Sequence, residues 1–136
     1  MAFAGMNYLA IVLAAAAGFL VGWPWYMAFA KSWTRALGKE PGKPAQPGYR
    51  PLAVLIVCEL VMAFVLAGVI GHLGPGQVTV MNGILSGAFV WAGFVATTMA
   101  ANHAFQGFGA RLTLIDGGHW LLVLLVMGAV IGVMGV

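Results

Sequence analysis

A chain of 136 residues with 62% hydrophobic and only 7% charged side chains cannot keep its surface in water. Soluble domains carry about a quarter charged residues, so most of this surface must face lipid, and the length suits one small domain. The formal charge of +3 does not imply nucleic acid, because the basic residues are confined to loops and no aromatic-basic interleaving accompanies them. The single cysteine, Cys58, excludes an internal disulfide and, within an apolar run, reads as a small buried hydrophobe.

In chain order, four stretches reach the roughly 20 apolar residues that a bilayer-spanning helix needs: about 6–29, 52–73, 79–105 and 112–136. The predicted fold is therefore all-α, a single integral membrane domain forming a four-helix transmembrane bundle. A basic, proline-rich connector, 31–51, follows the first span. Pro41, Pro44 and Pro47 recur there at every third residue, which favours an extended, polyproline-like segment. "GPGQ" and "QGFGAR" break the chain after the second and third spans. Lys31, Arg35, Lys39, Lys43 and Arg50 fall in the first loop and Arg111 in the third, whereas the second loop and both ends hold no Lys or Arg. Positive charge collects on the cytoplasmic side, so both termini are expected outside. The first span lacks a basic leader and a cleavage site, so it reads as a retained helix. Trp23, Trp25, Tyr26 and Trp33 would then form an aromatic belt at the inner face.

Helices in lipid associate through close contact and polar bonds. Each span offers small residues at every fourth position: Ala10, Ala14, Gly18 and Gly22; Ala63, Ala67 and Gly71; Gly83 and Gly87, then Gly93, Thr97 and Ala101; Gly128 and Gly132. At about 100° per residue, Gly128 and Gly132 lie about 120° and 160° round the fourth helix from Asp116. Two such faces suggest one interface that closes the bundle and another that meets a second subunit.

The polar residues of the spans share a level. Glu59, Asp116 and His119 each lie about 6–10 Å in from the inner end of their helix. Asn102 and His103 sit near the inner end of the third span, with Thr97 and Thr98 slightly deeper, and Tyr26 ends the first. Asp116 and His119 are three apart and share a face. A charge in the membrane needs partners, so Glu59, Asp116, His119, His103, Asn102, Thr97, Thr98 and Tyr26 are expected to form one cluster. It serves either as helix-to-helix glue or as a relay or binding site for a proton, ion or small solute. A di-iron centre needs two carboxylate-x-x-His pairs and two further carboxylates. A bis-His haem needs opposed histidines. One chain supplies neither set, and no phosphate loop, Ser-His-Asp order or Cys-x-x-Cys pattern occurs, so no metal, cofactor or catalytic residue is expected.

"NYLAIVLAAAAGFLVGWPWYMAFAKSW", "WAGFVATTMAANHAFQG" and "LTLIDGGHWLLVLLVMGAVIG" resemble the small bacterial membrane family called domain of unknown function 1761. "GFVATT" followed by Asn102 is the most specific piece, and the likeness covers nearly all of the chain outside the connector. The resemblance implies a four-helix integral membrane protein and carries no activity. Taken together, the residues predict a non-enzymatic protein of the bacterial inner membrane. It would form a homo-oligomer or serve as an accessory subunit of a larger membrane complex. The alternative is a small transporter or channel-like protein. Its expected partners are the lipid bilayer and other membrane-protein chains, with no nucleic acid.

Overall fold

The computed structural model describes residues 5–40 and 48–136. The proline run at Pro41, Pro44 and Pro47, with Lys43, lies outside the described residues. Four helices make up the fold: α1 Tyr8–Ala36, α2 Tyr49–Gly71, α3 Val80–Phe105 and α4 Ala110–Met134. All are long and apolar enough to cross a membrane, and no strand occurs among the described residues.

Local chemistry sets the helix ends. The Asn7 side chain accepts the Ala10 N–H (3.1 Å) at the start of α1, and the Thr79 hydroxyl accepts the Asn82 N–H (3.2 Å) at the start of α3. At the far ends, Gly38 (φ +70°) and Gly107 (φ +78°) adopt the left-handed conformation that glycine enters without a Cβ clash. Each closes a helix through a paired bond: Lys39 N–H to Thr34 and Gly38 N–H to Arg35, then Phe108 N–H to His103 and Gly107 N–H to Ala104.

The helices overrun the expected spans at the basic end. α1 continues through Ala36, so Lys31, Trp33 and Arg35 lie on its last turns rather than in a connector. Lys31 and Arg35 are exposed there, as long charged side chains near the end of a membrane helix can be when their heads reach for water. α2 likewise begins at Tyr49, and Arg111 belongs to the first turn of α4. Pro24 sits inside α1 without ending it, as packed membrane helices tolerate. α3 is not uniform: Trp91–Ala96 widens into a π-helical stretch.

α4 is the central helix. It packs extensively against α1 and α3 and more lightly against α2, while α1 also packs on α2. Among the described residues the backbones of α1 and α3 stay apart. α1 and α4 run antiparallel. Asn7 donates to the Met134 carbonyl (3.0 Å), joining the start of α1 to the end of α4, whereas Trp33 at the end of α1 meets Asp116 near the start of α4. The core between α1, α2 and α4 comprises Ile11, Ala14 and Ala15, then Ala63, Leu66, Ala67 and Ile70, then Val123, Leu124, Met127 and Ile131. The expected packing positions Gly18, Ala63 and Ala67 are buried. A Cβ at Gly18 would lie 2.7 Å from the Met127 methyl, and one at Gly22 3.3 Å from His119 Nε2. Cys58 faces outward instead of into the core.

Gly128 and Gly132 mark one of the two faces read on the fourth span, where a second subunit or partner was one possible occupant. They instead join α4 to α3 within the chain. A Cβ on Gly128 would collide with the Gly83 carbonyl, one on Gly83 with the Gly128 carbonyl, and one on Gly132 with the Thr79 carbonyl. The wheel angle from Asp116 was real. Both faces of α4 nonetheless find partners in the same chain, because α4 lies between α1 and α3.

Candidate functional site: an aromatic–carboxylate lock and a lone acid

The stretch Ile115-Asp116-Gly117-Gly118 lies in the second and third turns of α4. Three indoles converge on it. Trp25 Nε1 donates to the Ile115 carbonyl (3.0 Å), Trp33 Nε1 to Asp116 Oδ1 (2.9 Å) and Trp91 Nε1 to the Gly117 carbonyl (2.8 Å). A carbonyl has two lone pairs, so it can take an indole N–H beside its helical bond. The Tyr26 hydroxyl adds a fourth donor, 2.8 Å from the same Asp116 Oδ1. Asp116 thus receives two bonds from α1, and bonds to an ionised acceptor are the stronger kind.

Helix geometry explains the convergence. Tyr26 and Trp33 are seven residues apart, two turns along one face of α1, and their rings meet edge-on at 5.4 Å. Trp25 stacks at 4.7 Å on Phe29, one turn further along. Gly118 makes room for this side of α1, since a Cβ there would sit 2.8 Å from the Trp25 ring. Gly117 meets nothing closer than 3.9 Å, so its bareness is not needed for packing.

From α3, His103 brings Nε2 to 4.0 Å from Asp116 Oδ2, and its Nδ1 lies 3.0 Å from the Thr113 hydroxyl. His119 lies one turn beyond Asp116 and is only 3% exposed. Its ring stands 5.0 Å from that of Tyr26 and 4.8 Å from that of Trp120, and its Nδ1 has no hydrogen-bond partner among the described residues.

The expected single cluster therefore divides. Tyr26, Asp116, His103 and His119 come together. Thr97, Thr98 and Asn102 do not: all three are exposed, and the Thr97 hydroxyl donates to the Gly93 carbonyl of its own helix (2.8 Å). The side of α3 that meets α4 carries Gly83, Gly87 and Trp91, with His103 further along, and the threonines and Asn102 fall outside that face. Glu59 also stands apart. It is 2% exposed, and neither carboxylate oxygen has a hydrogen-bond partner among the described residues. Of the expected belt, only Trp23 stays largely outward, at 76% exposure. Trp25, Tyr26 and Trp33 turn inward as donors. Trp91 was not foreseen as part of the site; its signal was an indole placed one helix away from a glycine pair. Among the described residues no three His, Cys, Asp or Glu side chains gather as metal ligands.

The arrangement defines a four-span membrane bundle whose central helix is clamped by aromatic donors on a half-buried acid and the carbonyls beside it. The chain belongs to the family described as "Protein of unknown function (DUF1761)", whose family model matches residues 9–132. No curated protein and no solved structure matches it.

Proposed function

We propose that this is a non-enzymatic, multi-pass component of the bacterial inner membrane that works by associating with other membrane helices, either as a homo-oligomer or as a subunit of a larger complex. The observation that carries this reading is the uncovered half of α3. Only 11% of its most apolar window is buried. Gly93, Thr97 and Ala101 form an exposed small-residue stripe, and a Cβ at Gly93 would meet nothing within 4 Å. Thr98 and Asn102 are exposed on the same half. Small residues allow close helix approach in lipid, and an amide there gains from a partner across the contact.

Native mass spectrometry on protein extracted gently from its own membranes tests the proposal. The expected result is a closed multiple of the chain, or a stoichiometric mass of other proteins, that is lost in Gly93→Leu while the monomer stays folded. A lone monomer at native expression overturns it. A second reading is a small transporter or channel-like protein that moves a proton, ion or small solute. The specific observation favouring it is Glu59, an acid set in the bundle with no hydrogen bond to another helix among the described residues.

A further inference from the structure

Glu59 lies ten residues into α2, about 15 Å from its start. The following inward positions on α2 are Ala63, Leu66 and Ala67, all apolar and buried. Each helix of the bundle brings ionisable groups to the interior, yet none bonds Glu59. On α1, Tyr26 donates to Asp116. On α3, His103 lies against Thr113 and Asp116. On α4, Asp116 is held by Tyr26 and Trp33, and His119 leaves its Nδ1 without a partner. The described Lys and Arg side chains at the basic end, Lys31, Arg35, Lys39, Arg50 and Arg111, are all exposed.

Two bland explanations of a buried acid therefore fail. A salt bridge would need a cation from another helix. Glue would need an acceptor for the O–H of a neutral acid, or a donor to its anion, and neither oxygen has one among the described residues. An unpaired anion in an apolar interior is strongly disfavoured. What remains is a carboxylate neutralised by something small. A divalent ion would call for more carboxylates, and Asp116 is already occupied by α1. We infer that Glu59 is a binding site for a small monovalent cation, H⁺ or Na⁺, held inside the bundle between α2 and the helices packed on it. The inference deepens the transport reading, which it rests on for its purpose. Its test reads occupancy of one carboxyl rather than flux or subunit mass, so each can fail alone.

A hydrophobic carbodiimide adds to protonated carboxyl groups in apolar surroundings. The full-length protein in mild detergent is treated with dicyclohexylcarbodiimide over a range of pH, in sodium or choline chloride, and the adduct is mapped by peptide mass spectrometry. One adduct on Glu59 is expected, its rate falling about tenfold per pH unit once the proton has left. Slower labelling in sodium than in choline identifies the occupant as Na⁺; equal rates identify it as H⁺. Glu59→Gln should take no adduct at this position, while Asp116→Asn should keep it. A folded, monodisperse protein whose Glu59 stays unlabelled at every pH, or is labelled at a pH-independent rate, overturns the inference. The wild-type map decides the matter even if Glu59→Gln does not fold.

Discussion

Asp116 is the residue on which the inner part of the bundle turns. Its Oδ1 takes both the Tyr26 hydroxyl and the Trp33 indole, so one substitution removes two interhelical bonds. Bonds between membrane helices contribute about 0.6 kcal/mol on average and up to about 1.7 kcal/mol. Asp116→Ala should therefore destabilise the bundle by about 1–3 kcal/mol in mixed-micelle unfolding. Asp116→Asn keeps an oxygen that can accept both bonds and should recover most of that loss; equal losses in the two variants would show that the bonds are not what holds α1 to α4. The depth of this group was legible in the sequence, because helix rise alone puts Tyr26, His103 and Asp116 at one level. The donors were less legible. An interfacial tryptophan reads the same whether its ring floats among headgroups or turns inward, and what turns Trp25 inward is the space left by Gly118 on another helix. Glu59 was misgrouped for a related reason: equal depth says nothing about where a side chain points around the bundle axis.

At the scale of the helices, the α3–α4 seam is a backbone-to-backbone contact. Gly83, Gly87, Gly128 and Gly132 all lie where a Cβ would strike a carbonyl or main-chain atom of the facing helix. Neither backbone can yield as a flexible side chain would. Gly83→Val or Gly128→Val should cost at least about 2 kcal/mol, in the range of other severe packing errors. Gly93→Val, on the open half of the same helix, should leave monomer unfolding unchanged in the same assay. Similar losses at Gly93 and Gly128 would contradict this seam. The four spans were readable from hydropathy and length, and the glycine stripe from its spacing. Its partner was not: periodicity shows that a face is made for contact, and only topology shows that α3 fills it. The π-helical stretch at Trp91–Ala96 had no signal either. "WAGFVA" contains no proline, and the one residue per turn by which a π-bulge exceeds an α-helix leaves no mark in composition. Its effect is a shift of phase by about 100°, which separates the glycine face of α3 from the half that carries Thr97 and Asn102.

For the molecule as a whole, charge is divided unevenly between the two ends of the bundle. Lys31, Arg35, Lys39, Arg50 and Arg111 cluster at one end, whereas the turn after α2, with His72 and Gln77, holds no Lys or Arg. The positive-inside rule predicts that the basic end faces the cytoplasm. With Cys58 replaced by alanine, a cysteine at Gly76 should react with an impermeant maleimide in intact cells, and one at Lys39 only after lysis; the reverse pattern would invert the topology. The arrangement of helices also has a consequence for how the protein is made. α4 follows the other three in the chain, yet among the described residues it is the main partner of both α1 and α3, with α2 touching each more lightly. A nascent chain can pair α1 with α2 as they emerge. It must then hold Tyr26, Trp33 and Trp91 without their acceptors until Asp116 and Gly117 leave the ribosome. A translation product that stops before Ala110 would insert three helices but lack the one against which α1 and α3 chiefly pack, leaving bare donors and open glycine faces in the bilayer. Those are features by which membrane quality control could tell an unfinished copy from a finished one.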